Sequence, residues 1–329
     1  METSDGQVIP LEGEEVALEF KRMPWTWPLF VRGLFISLGK SQGRLDRPPR
    51  PMRATVRGYR MIPEKLTLYR LVCEEQHAGT QVPLCYPESL FIGLIASLAT
   101  HRAFPASPLG LIHSRQSLRL LRPIESDERL DLTASLAEVR ETPRGYEFDM
   151  RMEVVSRDEL VWDGTATLLS RTVATRKGET RKIPPILKGP LPVPASRLDV
   201  LEPTGRYYAK ATGDYNPHHL WGWSARLLGY NKPIAHGMWS LARAVSEIAK
   251  MADLSGVVEL ACAFKRPLLM PSSVRLRFEA ERFMHDNEGR FDIWRADDGE
   301  PILFGEIKRN PPPQLTDGDE DVVEDEYAV

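Results

Sequence analysis

The sequence predicts an α+β fold in which one unit, a long helix wrapped by an antiparallel sheet, occurs twice in tandem. In each half of the chain, one largely apolar helical segment precedes segments that alternate polar and apolar residues, as strands do. A proline-rich stretch over residues 181–197 separates the halves. Arg122 and Arg266, each before a proline, repeat at an offset of 144 residues, and so do Gly145 and Gly289. We therefore expect the two copies to pair as a pseudo-dimer.

Each copy contributes one predicted helix and several predicted strands. The first helix covers residues 87–102 and the second covers residues 233–251. The later segments "RLDLTASL" and "VRLRFEAE" alternate in the manner of strands with one buried face. In the second helix, apolar residues recur at the i, i+3, i+4 and i+7 spacing that forms one stripe against a sheet. That stripe consists of Met238, Leu241, Ala242, Val245, Ile248 and Ala249.

The chain divides into five predicted segments. These are an N-terminal arm over 1–60, a degenerate first copy over 61–175, a proline-rich linker or overhanging loop over 176–197, a second copy that carries the chemistry over 198–310, and an acidic tail over 311–329. The composition of the tail is typical of disorder. The N-terminus is acidic, whereas a secretory signal begins with basic residues.

The sequence does not decide the roles of two stretches of the N-terminal arm. Residues 25–39 are apolar, but Pro28 and Arg32 interrupt them, and they are shorter than the roughly 20 residues that span a bilayer. We predict no integral membrane segment; the stretch either packs back on the domain or forms an amphipathic arm on the surface. Residues 40–60 are strongly basic and contain three prolines. They form either a solvated arm or a patch for an acidic carrier or a phosphorylated cofactor.

Composition excludes some partners and indicates a compartment. The 329 residues carry a net charge of -3, so no overall basic excess favours nucleic acid. The apolar fraction of 42% is sufficient for a substantial core. The three cysteines, Cys73, Cys85 and Cys262, are too scattered for a disulfide framework or a metal knuckle. Buried free thiols in a reducing cytoplasm are the expectation.

The stretch "GDYNPHHL" concentrates polar, turn-forming and titratable residues. Asn216 is a preferred N-cap and Pro217 is favoured at the next position, so a helix is predicted from Pro217 to near Gly229. Asp214 then lies in the loop before the helix and His219 in its first turn. We expect their side chains to hold one water molecule between them. The alternative is an Asx-turn at Asp214 with both histidines on the surface.

The protonation state of His219 decides whether it could act as a base. A helix N-terminus disfavours a positive charge, and the resulting lower pKa would leave the imidazole neutral. A neutral imidazole near pH 7 is the form that a general base requires. The neighbouring His218 points about 100° away around the helix and is predicted to be a packing or surface residue.

The stretch "PIAHGM" follows at the start of the second long helix. Free backbone N–H groups at a helix start bind negative charge, and the small Gly237 leaves them uncovered. Directed at a thioester carbonyl, they would form an oxyanion hole. His236 and Met238, on either side, are candidate residues for binding substrate and organising the site. The alternative is that His236 only caps the helix.

Together, "YYAKATGDYNPHHL" and "ARLLGYNKPIAHGMW" resemble the signature of the hydratase-2, or MaoC-like, dehydratase family. The motifs cover residues 207–245, with weaker similarity over 195–310, and residues 65–175 resemble the degenerate copy of double-hotdog members. The resemblance implies a double hotdog fold. It also implies (R)-specific hydration of trans-2-enoyl thioesters, or the reverse dehydration of (R)-3-hydroxyacyl thioesters, in fatty acid metabolism.

The resemblance also assigns roles to residues. It places the catalytic pair on Asp214 and His219, the oxyanion N–H on Gly237 and a site-organising role on Asn216. It implies a substrate carried on coenzyme A or acyl carrier protein. No metal or redox cofactor is expected, because the thioester itself acidifies the α-carbon. The first copy has "YPESLFIGL" where the second has "PIAHGM". We expect the first copy to line a tunnel for the acyl chain.

Two other functions stay open from the sequence. One is a hotdog acyl thioesterase, in which a carboxylate activates water against the carbonyl carbon. The other is a non-catalytic subunit that binds acyl thioesters. The sequence also does not decide the oligomeric state. The protein could be a monomer, which is itself a pseudo-dimer of hotdogs, or a homodimer.

Overall fold

The structure is a computed structural model that describes residues 6–37, 43–75, 79–108, 110–171 and 191–310. The strands are Gln7–Ile9 (β1), Val16–Phe20 (β2), Met52–Arg60 (β3), Leu111–Leu120 (β4), Arg129–Thr142 (β5), Gly145–Ser156 (β6), Glu159–Arg171 (β7), Ala195–Val200 (β8), Val257–Phe264 (β9), Ser272–Phe278 (β10), Glu288–Arg295 (β11) and Pro301–Asn310 (β12). The helices are Thr26–Ser37 (α1), Pro63–Cys73 (α2), Tyr86–Ser89 (α3), Ile92–Ala99 (α4), Thr204–Thr212 (α5), Gly222–Leu227 (α6), Gly237–Ile248 (α7) and Ala280–Asp286 (α8).

The strands form one 12-stranded sheet that contains the same arrangement twice. The first copy has the order β3-β5-β6-β7-β4, and the second has the order β9-β12-β11-β10-β8. The strands pair antiparallel within each copy. The first strand after each central helix, β4 or β9, joins the copies edge to edge, from Arg115 opposite Ala263 to Leu120 opposite Val258. This arrangement confirms the predicted α+β double hotdog and its internal pseudo-dimer.

The central helix α7 is buried on nearly all sides. Met238, Leu241, Ala242, Val245 and Ile248 of the predicted stripe are buried, whereas Ala249 is only half-buried. The remaining faces are covered because the first copy packs against the helix. The indole N–H of Trp239 donates to the carbonyl of Val72 in α2 at 2.8 Å.

The first copy has no single long helix over residues 87–102, so that prediction was wrong. Two short helices, α3 and α4, take its place. Between them the amide of Leu90 donates to the carbonyl of Pro87, and the amide of Phe91 donates to the carbonyl of Glu88. These bonds to the third preceding residue tighten the backbone into a 3₁₀-type turn and interrupt the α-helix.

The structure places parts of the predicted arm and linker inside the sheet. β3, assigned from sequence to the arm over 1–60, pairs antiparallel with β5, and its Met52, Ala54 and Val56 are buried. β8 begins at Ala195, within the predicted linker over 176–197, and pairs with β10. The three arginines of β3, Arg53, Arg57 and Arg60, made the strand look like part of the basic arm. Residues 172–190 and the predicted tail over 311–329 lie outside the described residues.

The apolar stretch near the N-terminus forms helix α1. It packs back on the first copy, and Gly33 lies close to Thr100 and Pro108. In the part of the chain that the structure describes, no helix has both the length and the apolar character needed to cross a bilayer.

Candidate active site

The loop that carries Asp214 begins where α5 ends. Gly213 terminates the helix with a φ of 89°, a left-handed conformation that glycine adopts without strain. The next residue, Asp214, accepts a hydrogen bond on its Oδ1 from the backbone N–H of Asn216 at 3.2 Å. This Asx-turn directs the chain into a 3₁₀ turn over Pro217–His219. The Asn216 side chain makes no capping hydrogen bond to that turn.

A continuous helix from Pro217 to Gly229 is not present. Trp221 adopts an extended conformation, with φ −140° and ψ 154°, which separates the 3₁₀ turn from α6. Gly229 follows α6 with a φ of 87°, as predicted for the residue after a helix end. The break lets the chain turn sharply after His219, so this side chain lies under the segment around Ile234 and not on a helix surface.

The hydrogen bonding of His219 fixes its tautomer. Its Nδ1 lies 2.7 Å from the carbonyl oxygen of Ile234. A carbonyl can only accept, so Nδ1 carries the proton and donates. Burial, followed by repulsion from His236, lowers the pKa of His219 well below its usual value. The ring is therefore neutral near pH 7, and its Nε2 has a free lone pair. The physical cause is burial, whereas the sequence had suggested a helix terminus.

His236 has the opposite arrangement of its ring nitrogens. Its Nε2 lies 3.0 Å from the backbone carbonyl of Asp214, so Nε2 is the donor. Burial lowers the pKa of His236 to about 3. It precedes α7 as the N-cap residue but makes no side-chain capping bond, so the capping alternative was wrong. Its ring stacks on that of His219, with centroids 3.6 Å apart.

Asp214 lies beside both imidazoles. Its Oδ2 is 3.8 Å from Nε2 of His236, and its side chain is 28% exposed, so water reaches it. Burial raises the pKa of Asp214, while the electrostatic interaction with His218 and the hydrogen bond from the N–H of Asn216 oppose that shift. His218 packs edge-on against the His219 ring at 4.0 Å and near Tyr230, as predicted for a packing residue.

The polar atoms of the three side chains lie close enough together for one water molecule to bridge them. The polar atoms of Asp214, His219 and His236 all lie within 4.8 Å of one another. Two atoms that each hydrogen-bond the same water at about 2.8 Å lie roughly 4.6 Å apart when the angle at the water is tetrahedral. This upper limit on the spacing is compatible with one water molecule held between Asp214 and His219.

The same three side chains are also the set of potential metal ligands that the described residues bring together. The two imidazole planes are only 24° from parallel and their centroids are 3.6 Å apart. Ligand lone pairs lie in the ring plane, so stacked rings do not direct them to a common point. One nitrogen of each ring is also engaged with a backbone carbonyl. The arrangement fits a bound water better than a metal ion.

Gly237 is the first residue of α7 and supplies the candidate oxyanion N–H. A Cβ on this residue would lie 3.1–3.2 Å from the ring of Phe264, so only glycine lets that ring approach the helix start. Its amide has no hydrogen-bond acceptor among the described residues, as is usual for the first N–H groups of a helix. Met238, 5% exposed, belongs to the core behind this helix start.

The first copy contributes a buried carboxyl that the sequence analysis missed. Glu88 of α3 is 7% exposed, and burial together with the charge of Asp214 raises the pKa of Glu88 to about 8. The buried ring of Tyr208 lies between Tyr69 of the first copy and His236, with centroid distances of 5.8 Å and 4.8 Å. The sequence did contain a signal for Glu88 as a site residue. It is a glutamate at the start of an apolar helix, at the place where the second copy has its glycine motif.

Comparison with known proteins identifies relatives of this chain and agrees with its fold. The family described as MaoC like domain matches residues 186–292. The 3-hydroxyacyl-thioester dehydratase X of Mycobacterium tuberculosis is 30% identical over 266 residues, which cover 79% of this chain and 91% of that protein. The peroxisomal enoyl-CoA hydratase 2 of Arabidopsis thaliana is 27% identical over 164 residues, or 45% of this chain and 52% of that protein.

Solved structures show the same architecture over nearly their whole length. The crystal structure of HtdX of Mycobacterium tuberculosis has a TM-score of 0.66 at 26% identity and covers 78% of this chain and 100% of that chain. A MaoC-like dehydratase from Phytophthora capsici has a TM-score of 0.61 at 17% identity, over 84% of this chain and 99% of that chain, and supports the fold alone. On the strength of the mycobacterial relative and the matching domain, this chain belongs to the MaoC-like dehydratase family.

Proposed function

We propose that this protein is a hydro-lyase that hydrates trans-2-enoyl thioesters to (R)-3-hydroxyacyl thioesters, or catalyses the reverse dehydration, in fatty acid metabolism. The names of its relatives, 3-hydroxyacyl-thioester dehydratase and enoyl-CoA hydratase 2, support this class of reaction. The observation that carries the proposal is the hydrogen bond from Nδ1 of His219 to the carbonyl of Ile234. It leaves a neutral imidazole with a free Nε2 lone pair beside the carboxyl of Asp214.

In the hydration direction, Asp214 and His219 hold the attacking water. As the water oxygen bonds to C3, the C2–C3 double bond becomes an enolate and a water proton passes to Nε2 of His219. The pair of side chains then supplies a proton to C2 on the same face, which gives syn addition. General acid–base catalysis of this kind contributes about 10²–10⁴-fold to a rate.

The amide of Gly237 binds the thioester oxygen in this mechanism. The enolate carries its charge on that oxygen, and the free N–H at the start of α7 stabilises it more than the ground-state carbonyl. One such donor is worth about 10²–10³-fold in kcat. Asn216 supports the same geometry, because its backbone N–H holds the Asp214 side chain in place.

We further propose that no metal or redox cofactor takes part, and that the acyl group arrives on coenzyme A or acyl carrier protein. The polarised thioester supplies the electron sink, so the chain needs only to position a water and an N–H. The buried free thiols of Cys73, Cys85 and Cys262 support a reducing, cytoplasmic compartment. The first copy would line the acyl tunnel, and the protein would act as a monomeric pseudo-dimer or a homodimer.

An absorbance assay with crotonyl-CoA and a medium-chain enoyl-CoA tests the proposal. We expect loss of the enoyl absorbance without thiol release, and the (R)-3-hydroxyacyl product on chiral analysis. Thiol release without hydration would instead identify a thioesterase, and tight binding without turnover would identify a non-catalytic subunit. Strict preference for the four-carbon substrate would contradict the acyl tunnel alone.

A further inference from the structure

Helix α1 presents an apolar face to solvent. Trp27, Val31, Leu34 and Phe35 are 48%, 39%, 49% and 68% exposed, and Trp25, just before the helix, is 72% exposed. The four helical residues follow i, i+4, i+7 and i+8 spacing, so they share one side of the helix. We call these five residues the α1 apolar face. Large apolar side chains gathered on one exposed side indicate an interaction surface.

The opposite side of α1 is firmly packed, so the apolar face is not a core surface left uncovered by a detached helix. The hydroxyl of Thr26 donates to the carbonyl of Gly213 at 2.7 Å. A Cβ on Gly33 would lie 3.4 Å from the Thr100 side chain, so the helix backbone is in close contact with the first copy. Both residues are buried. The orientation of the helix is therefore set by contacts on its inner side.

The segment that contains the α1 apolar face has side-chain charges of a single sign. Between Phe20 and Leu45 the sequence contains no aspartate or glutamate. The exposed cations Lys21 and Arg22 precede the helix, and Arg32 lies beside Val31 at the border of the apolar residues. Aromatic and aliphatic side chains bordered by Lys and Arg are typical of helices that lie in the interface of an anionic bilayer.

We propose that the α1 apolar face docks on the surface of an anionic lipid bilayer. The tryptophans and Phe35 enter the headgroup region, and the basic side chains lie against lipid phosphates. A second copy of the chain is a poorer occupant. A two-fold interface through this face would bring together two copies of a segment that contains Lys21, Arg22 and Arg32 and no acid to compensate them.

The docked helix is in direct contact with the loop of the candidate active site. Thr26, between the exposed Trp25 and Trp27, bonds to Gly213, the residue before Asp214. Lipid binding on this face would therefore bring the site close to the bilayer. The proposal depends on the exposed apolar side chains of α1 and the basic residues beside them. Its test therefore does not depend on the chemistry at Asp214.

Vesicle co-sedimentation of the full-length protein tests this surface. The probes are phosphatidylcholine vesicles and vesicles that contain one-third phosphatidylglycerol, each at low and high salt. We expect binding to the anionic vesicles that weakens with salt, since screening reduces the attraction of the basic residues. The Trp27→Ser/Phe35→Ser variant should bind at least about tenfold more weakly, because it loses the inserted rings.

Leu34→Ser and Leu71→Ser form a matched pair. Leu71 is 70% exposed on α2, outside the α1 apolar face, so only the Leu34 variant should lose vesicle binding. Equal binding by both variants, or no binding of the wild type to anionic vesicles, would overturn the proposal. So would a concentration-dependent dimer in analytical ultracentrifugation that the Trp27/Phe35 variant dissociates, because the face would then be a subunit interface.

Discussion

The account of His219 predicts different outcomes for two substitutions of the same residue. Asparagine can place its amide N–H near the position of Nδ1 and keep the hydrogen bond to the carbonyl of Ile234, which is 2.7 Å long in the wild type. It has no atom at the position of Nε2. His219→Asn should therefore lose the base while keeping the local fold. His219→Ala should lose both the base and the partner of the Ile234 carbonyl.

The magnitudes follow from these contacts. Loss of a general base lowers kcat by about 10²–10⁴-fold in both variants. The free energy of unfolding distinguishes the two variants. In His219→Ala a buried carbonyl left without a donor costs about 1–3 kcal/mol, and the alanine also leaves a cavity. His219→Ala should therefore have the lower free energy of unfolding, by about 1–3 kcal/mol relative to His219→Asn.

Enoyl hydration rates and urea unfolding measure the two effects separately. A His219→Asn variant with activity within a few-fold of wild type would refute the catalytic role of Nε2. Equal stability of the Asn and Ala variants would refute the hydrogen bond to Ile234 as the feature that fixes the ring.

Four further outcomes are expected. Asp214→Asn keeps an acceptor for the Asn216 amide but removes the carboxylate, so kcat should fall by about 10²-fold or more with little change in unfolding. Gly237→Ala places a methyl 3.1–3.2 Å from the Phe264 ring and should cost about 1–3 kcal/mol in stability as well as activity. The pKa of Glu88, raised by burial to about 8, means that the folded state retains a proton that the unfolded state loses. The contribution of Glu88 to stability should therefore fall as the pH rises from about 4.5 to about 8, opposite in sign to that of the buried neutral histidines, and Glu88→Gln should remove this contribution. Exhaustive chelation should leave hydration unchanged, because no step requires a metal.

The last three of these outcomes each have a control or a contradicting result. Phe264→Leu in the Gly237→Ala background should recover part of the stability, and no recovery would argue against the steric explanation. Parallel stability–pH curves for Glu88→Gln and wild type would contradict the buried neutral carboxyl. If chelation abolished activity and added Zn²⁺ restored it, a metal ion and not a water molecule would lie between Asp214 and His219.

Local patterns predicted the parts of the fold that depend on near neighbours in sequence. The alternation in β5 and β10 and the periodicity of α7 correspond to buried faces of the structure. The start of α7 was predicted wrongly, because the helix begins at Gly237 and not at residue 233, and Ile234 pairs with Leu269 in an isolated bridge. The strand β3 was missed, since its three arginines make it resemble a basic arm. Its membership of the sheet depends on pairing with β5, which is distant in sequence.

The candidate site was predictable in its residues but not in its geometry. The motif identified Asp214 and His219, yet the cause of the neutral imidazole is burial beneath Ile234, which comes from the return of the chain after α6. The stacking of His236 on His219 also depends on that return. Glu88 was missed because its approach to Asp214 depends on how the two copies pack, and sequence periodicity contains no information on that distance.

The central claim is that His219 is a neutral ring protonated on Nδ1, with its Nε2 free to take a proton from water. Long-range ¹H–¹⁵N NMR of histidine-labelled protein, with His219→Asn for assignment, reports both ring nitrogens directly. We expect a protonated Nδ1 and an unprotonated Nε2 at pH 7. A doubly protonated ring, or a proton on Nε2 in place of Nδ1, would contradict it.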